Sequence, residues 1–98
     1  MQYIDLELAI KYSYSKDLLT KFICMFTEEY KNFDLNLIDL SEQEILSKVH
    51  KLKGITLNLG AEKLYHSCLE IEDSKNFNQD LKTFIYIFNK SYNELLNL

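Results

Sequence analysis

A chain of 98 residues has room for one domain with a single core, so residues 1–98 are read as one unit. With 47% hydrophobic and 27% charged residues it has an ordinary globular composition, and no apolar run approaches the ~18 residues a membrane span needs. A net charge of −4 argues against nucleic acid as a partner.

The chain holds two glycines and no proline, and Leu, Lys, Glu and Ile recur throughout, which favours helix. The start, MQYIDLELAIKY, carries carboxylates and no basic cluster ahead of an apolar stretch, so it does not read as a secretory signal, and a cytoplasmic location is expected. Leu6, Ala9 and Ile10 predict a short first helix with Asp5 as its N-cap, broken at Ser13-Tyr14-Ser15. From Lys16 the three-four spacing of Leu18, Leu19, Phe22, Ile23, Phe26, Tyr30 and Phe33 predicts a second, long amphipathic helix. Its aromatic stripe reads as core, because no polar partner recurs along it.

Ser41 with Glu44 has the spacing of a capping box, which places the start of a third helix near residue 42. Ile45, Val49, Leu52, Thr56 and Leu59 carry it to Gly60, the expected C-terminal stop. A fourth helix from Ala61 turns Leu64, Tyr65, Cys68, Leu69 and Ile71 inward. After the turn signal Asp73-Ser74-Lys75-Asn76, a fifth begins near Phe77 and buries Leu81, Phe84, Ile85, Phe88, Tyr92, Leu95 and Leu96. Long amphipathic helices joined by short turns predict an all-α fold. Its most economical form is an antiparallel up-down four-helix bundle with the short N-terminal helix laid across one end or side. Cys24 and Cys68 are expected as reduced thiols that pack like small hydrophobes.

The third helix carries the residues that the core does not account for. At roughly 100° per residue its apolar set falls on one face, and His50 points nearly the opposite way, together with Gln43, Leu46, Lys53, Gly54 and Leu57. Gly54 sits in the helix interior, where glycine costs about 1 kcal/mol against alanine. One turn from His50 it leaves a notch through which a tetrahedral anion or another protein's backbone could approach. Lys53 can extend its ammonium to the same space, Lys48 and Lys51 add local positive charge, and Leu46 and Leu57 would form an apolar rim where exposed. An outward imidazole with an ammonium and a notch beside it suits reversible carriage of a phosphoryl group, because imidazole (pKa about 6.5) offers a neutral, nucleophilic nitrogen at neutral pH. No Gly-rich phosphate loop or GxxxxGK[ST] motif is present to activate ATP, so the chain is expected to carry phosphate without an ATP site of its own and not to be an enzyme.

The string His50-Lys51-Leu52-Lys53-Gly54, followed after five residues by Gly60-Ala61 and then Leu64, resembles the signature of histidine phosphotransfer (HPt) domains. The resemblance implies two-component signalling: a carrier in a His-Asp phosphorelay that takes a phosphoryl group on His50 from an aspartate of one receiver domain and passes it to another. Lys53 would then lie close to the phosphoryl oxygens, Gly54 would let the receiver close over the ring, and Glu72 stands where some members hold the other ring nitrogen. Gln43, Leu46, Lys51 and Leu57 would belong to the docking face. The implied partners are response-regulator receiver domains and a hybrid histidine kinase; Mg2+ would be supplied by the receiver, with no cofactor or metal of the chain's own, and a monomer would suffice. Ile55-Thr56-Leu57 is bulkier than the residues that usually follow the motif glycine, and the stretch from Asp34 to Leu40 is short for a helix and its loop.

Three alternatives remain at this stage. One is a module cut from a larger hybrid or chemotaxis-type kinase, and another is a helical adaptor that is never phosphorylated. The third, a metal site joining His50 and His66, is disfavoured because the helical register turns His66 away from His50. The histidine of a self-phosphorylating kinase helix is usually followed by an acidic residue and soon by a proline, whereas His50 is followed by Lys51.

Overall fold

The computed structural model describes residues 2–98. Among the described residues the chain is all-α: five α-helices, two short 3-10 turns and no strand. No helix among them is long and apolar enough to cross a membrane.

The first helix, α1 (Leu6–Ser13), starts where the Asp5 carboxylate accepts the Leu8 amide, and it ends at Tyr14, which adopts a left-handed conformation at φ 69°. The second, α2 (Lys16–Glu29), is capped in the same way by the Ser15 hydroxyl. It stops sooner than the apolar spacing predicts. Tyr30 closes it, residues 30–34 form turns, and the Asp34 carboxylate accepts the Leu35 amide to begin a 3-10 turn, Leu35–Leu37. The short polar side chains of Asn32 and Asp34 favour such local bonds over helix propagation. Phe33 is nevertheless buried, carried inward by the turn.

The predicted capping box is present at the start of α3 (Glu42–Thr56): the Ser41 hydroxyl accepts the Glu44 amide and the Glu44 carboxylate accepts the Ser41 amide. The five positions read as its apolar face are all buried, Ile45, Val49, Leu52 and Thr56 in the helix and Leu59 just beyond it. The buried Thr56 hydroxyl donates to the Lys53 carbonyl. After Thr56 the chain tightens into a 3-10 turn, Leu57–Leu59, so the α-helix ends one turn earlier than expected. Gly60 then stops it in the left-handed conformation at φ 71°.

The fourth and fifth helices, α4 (Glu62–Glu72) and α5 (Phe77–Leu96), complete the chain; α3 packs on α4, α4 on α5, and α2 on α5. Phe26, Tyr30 and Phe33 from the α2 side interleave with Phe84, Phe88 and Tyr92 of α5; the Phe33 and Phe88 ring centroids lie 4.8 Å apart. The aromatic stripe is thus core, and the Tyr92 hydroxyl finds the Thr27 carbonyl at 2.6 Å. Leu18 and Leu96, expected inward, are exposed at the edges of their helices, while Tyr65 and Leu69 are half-buried.

Helix α1 packs against the Leu57–Leu59 turn and α2. The Asp5 amide donates to the Gly60 carbonyl at 2.9 Å, and the Ser13 hydroxyl donates to the Asn58 carbonyl at 2.8 Å. A β-carbon on Gly60 would collide with the Asp5 carbonyl oxygen. Gly60 therefore ends the 3-10 turn and also admits the start of α1 against it. Ahead of α1, Ile4 is buried, and the Glu94 carboxylate of α5 accepts the amides of Gln2, Tyr3 and Ile4.

Cys68 is buried, as expected; burial, reinforced by the nearby Glu72 charge against an opposing Lys53, pushes its thiol up to about 12. Cys24 is exposed on α2, contrary to the expectation that it packs like a small hydrophobe, because its position lies outside the stripe of Leu19, Phe26 and Tyr30 that faces α5.

Candidate functional site

His50 lies in the middle of α3 on the side away from the core, with 72% of its side chain exposed. Gly54, one turn later, is also exposed, and a β-carbon added there would meet no atom within 4 Å. Nothing inside the chain requires a glycine at this position, and its helix propensity argues against one. The open space beside the imidazole faces solvent.

The other side of the ring meets α4. His50 Nδ1 lies 3.0 Å from Glu72 Oε2, at the end of α4, so the packing of α3 on α4 brings together residues separated by 22 positions. The second oxygen, Oε1, lies 2.7 Å from Lys53 Nζ. That contact is an ion pair, and Oε1 is closed off from solvent. Lys53 and Glu72 are largely covered, at 22% and 23% side-chain exposure. Lys53 stands three residues after His50, which turns it toward α4, and its half-buried stem fills the seam between the helices.

The charges reinforce one another. Burial alone would raise the Glu72 carboxyl, but the contacts to Lys53 and then to His50 outweigh it and hold the group below the ordinary glutamate value of 4.5. The same carboxylate, against opposing desolvation, holds the Lys53 ammonium above 10.5. Glu72 is therefore ionised at neutral pH. An ionised carboxylate only accepts hydrogen bonds, so the contact requires a proton on Nδ1 that points to Oε2; in the neutral ring this leaves Nε2 with a lone pair.

The sequence-derived residues divide around this centre. His50, Lys53 and Glu72 form one connected group, and Gly54 borders it. Gln43 and Lys51 are exposed on α3. Lys51 Nζ reaches Glu29 Oε1 of α2 at 3.8 Å, a loose surface pair that the sequence did not suggest. Leu46 is half-buried against the core, so it is a flank of the site and not a free apolar rim. Leu57 is half-buried in the 3-10 turn that packs on α1.

The register of α3 puts Lys51 and Ile55 toward α2. There an apolar hollow of about 200 Å³ is lined by Phe22, Met25, Phe26, Ile55 and Leu59, with Glu29 and Asn58 at its margin. Met25 is 64% exposed. His66 lies elsewhere on α4 beside Glu62, at 3.7 Å. Among the described residues no three His, Cys, Asp or Glu side chains converge as a metal site would require.

Glu72 is the member of the group that helical periodicity could not supply, since its place depends on how α4 lies against α3. Nor does helical periodicity place Lys53 against Glu72. The signal for it is the position of Lys53 between the buried and exposed faces of α3.

Comparison of the chain with protein-family models, with curated proteins and with solved structures finds no match.

Proposed function

We propose that this protein is a histidine-containing phosphotransfer carrier, in which His50 takes a phosphoryl group from an aspartyl phosphate of one receiver domain and returns it to an aspartate of another. The observation that carries the reading is the arrangement at His50: Nδ1 is held by an ionised carboxylate, while the ring projects into solvent beside a glycine that nothing inside the chain requires. The resemblance of residues 50–64 to the HPt signature supports it. The finer architecture belongs to the same proposal. Helices α2 to α5 would form an antiparallel up-down four-helix bundle, with α1 laid over the end where the Leu57–Leu59 turn lies.

The chemistry follows from the tautomer. The Nε2 lone pair attacks phosphorus, the N–P bond forms, and the P–O bond to the aspartate breaks with the electron pair leaving on the carboxylate. No proton needs to depart, because Nδ1 keeps its hydrogen, and the ring gains the positive charge that the leaving carboxylate balances. Glu72, 3.0 Å from Nδ1, meets that developing charge with a fixed negative one. The same steps run backward when the next aspartate attacks, so a carrier needs no further acid or base. Mg2+ bound by the receiver would neutralise the phosphoryl oxygens, and a cytosolic setting suits such partners.

The exposed face of α3 is the natural docking surface. Gln43, His50, Lys51 and Gly54 lie along it, flanked by Leu46 and Leu57, and the open space at Gly54 would let the receiver's aspartate come in line with Nε2. Lysines suit an acidic receiver site.

The test is phosphoryl uptake from a phosphorylated receiver domain, with the phosphate recovered in acid-labile, alkali-stable form. His50→Gln is expected to abolish uptake, to leave helicity unchanged and to move Tm by no more than a few degrees, since the side chain is mostly outside the core and only its contact to Glu72 is lost. Uptake that persists in His50→Gln, or none by the wild-type protein from a panel of receivers, would sink the reading and favour a helical adaptor.

A further inference from the structure

Between α2 and α3, the stretch from Asp34 to Leu40 carries two apolar side chains that neither the core nor the His50 site uses. Leu35 is 60% exposed and Ile38 70%, while Leu37 between them is buried. In a 3-10 turn, side chains three residues apart eclipse one another, so Leu35 and Ile38 stand together as one apolar ridge. Backbone bonds hold the ridge in place: the Asp34 carboxylate accepts the Leu35 amide, the Asn32 carbonyl accepts the Asn36 amide, and the Leu37 carbonyl accepts the Leu40 amide.

Beside the ridge lies a hollow of about 300 Å³, between this turn, the start of α3 and the first half of α5. Leu40, Ile45, Phe77, Leu81 and Ile85 line it, and Ile38 borders it. The three α5 residues recur every fourth position and so form one half-buried strip along the helix. Charge is divided across the patch. Asp34 and Glu42 lie at the margin on the ridge side, with Asp39 in the turn, while Lys82 stands on α5 one turn after Asn78, at the opposite margin. Among the described residues, none of these four charged side chains is in an ion pair.

We infer that this patch is the contact through which two copies of the chain associate, related by a two-fold axis. In such a pairing one surface meets itself, so the ridge of each copy enters the hollow of the other. The same rotation sets the acidic margin of one copy against Lys82 of the other, a charge complementarity that selects a second copy as the occupant. A partner of a single charge sign would meet its own sign at one margin. The patch is small: Phe77 to Ile85 spans about 12 Å of helix, so the surface covered on each copy stays below the roughly 800 Å² of a standard interface. The dimer is therefore weak, half formed at a concentration on the order of 100 µM. Ile45 lies on the buried face of α3 and His50 on the exposed one, so both histidines stay outside the contact. Association of this kind needs no phosphoryl chemistry and stands apart from the carrier reading.

The deciding measurement is the mass of the protein in solution by sedimentation equilibrium, over a range from about 10 µM to about 1 mM. Wild type is expected to rise from the monomer mass toward twice that value. Ile38→Asp places a charge on the ridge and should hold the mass at that of the monomer throughout. Its side chain is exposed, so the variant should keep its fold, which circular dichroism checks. Lys82→Glu should weaken association about tenfold or more, and adding Asp39→Lys and Glu42→Lys to it should restore affinity by exchanging the signs across the contact. In ¹⁵N-labelled protein, the amide shifts that move with concentration should centre on Leu35, Ile38, Leu81 and Ile85 and should spare His50 and Met25.

A wild-type protein that stays monomeric to the top of that range would overturn the inference and leave the hollow to a partner of another kind. Association undiminished in Ile38→Asp, or shifts gathered on the Met25 hollow instead, would overturn it too, because the copies would then meet through another face. If the masses and shifts behave as expected while no receiver phosphorylates the protein, the dimer contact stands and the carrier reading fails.

Discussion

Gly54 and Gly60 are six positions apart, and their surroundings make opposite demands on them. Gly54 has helical neighbours on both sides and open space where a side chain would go, so alanine there should stabilise the fold by up to about 1 kcal/mol through helix propensity. For a domain of this size that raises Tm by about 4–8 °C, measurable by circular dichroism. On the proposed carrier reading, a bulky residue such as arginine at Gly54 should leave the fold intact and impair phosphoryl transfer, because its side chain would fill the space a receiver domain would need. Undiminished transfer in that variant would refute the notch. Gly60 takes a positive φ, and its missing side chain admits the Asp5 carbonyl. Gly60→Ala should therefore cost about 2 kcal/mol or more, from the left-handed conformation together with the displacement of Asp5. A Tm within a degree or two of wild type would show that α1 can leave Gly60 at little cost.

The helices themselves were legible in the sequence, because local signals specify them. Asp5 and the Ser41–Glu44 capping box lie where the spacing places them, and the buried face of α3 is the one its periodicity defines. The misreadings occur where tertiary context overrides a local pattern. Phe33 keeps the apolar rhythm of α2 and is buried, yet it reaches the core from a turn, because a rhythm of buried residues does not distinguish a helix from a chain that bends back over the same core. Thr56 and Leu59 likewise continue the apolar face of α3 across the change to 3-10 geometry. The candidate site was legible to the extent that it lies on one helix. His50, Lys53 and Gly54 follow from the register of α3. Their grouping with Glu72 follows from the pairing of α3 with α4, which the periodicity of neither helix specifies; only the resemblance to a known family pointed to Glu72.

At the scale of the molecule, the polar group of His50, Lys53 and Glu72 is a charged bridge between two helices that otherwise meet through apolar side chains, and it makes stability depend on pH in a definite direction. Glu72 has a carboxyl held below 4.5 in the folded protein, so its contribution is complete above the unfolded value and is lost as pH falls through the lowered folded one. Lys53 is the mirror case: its ammonium is held above 10.5, so its contribution is complete below that value and fades as pH rises through the raised one. Between the two limits the pair is intact. Glu72→Gln removes the carboxylate charge while keeping the shape, and the Tm difference between wild type and this variant isolates the contribution. A pair with this much contact with solvent contributes modestly, so the Tm difference is expected to be a few degrees. The difference should be positive near neutral pH and should shrink on acidification below about pH 4.5, where the unfolded chain takes up a proton that folded Glu72 still resists. A difference that stayed level down to pH 3 would mean that Glu72 titrates alike in the folded and unfolded chains, in which case the bridge between α3 and α4 does not form in solution and the tautomer of His50 is set by something else.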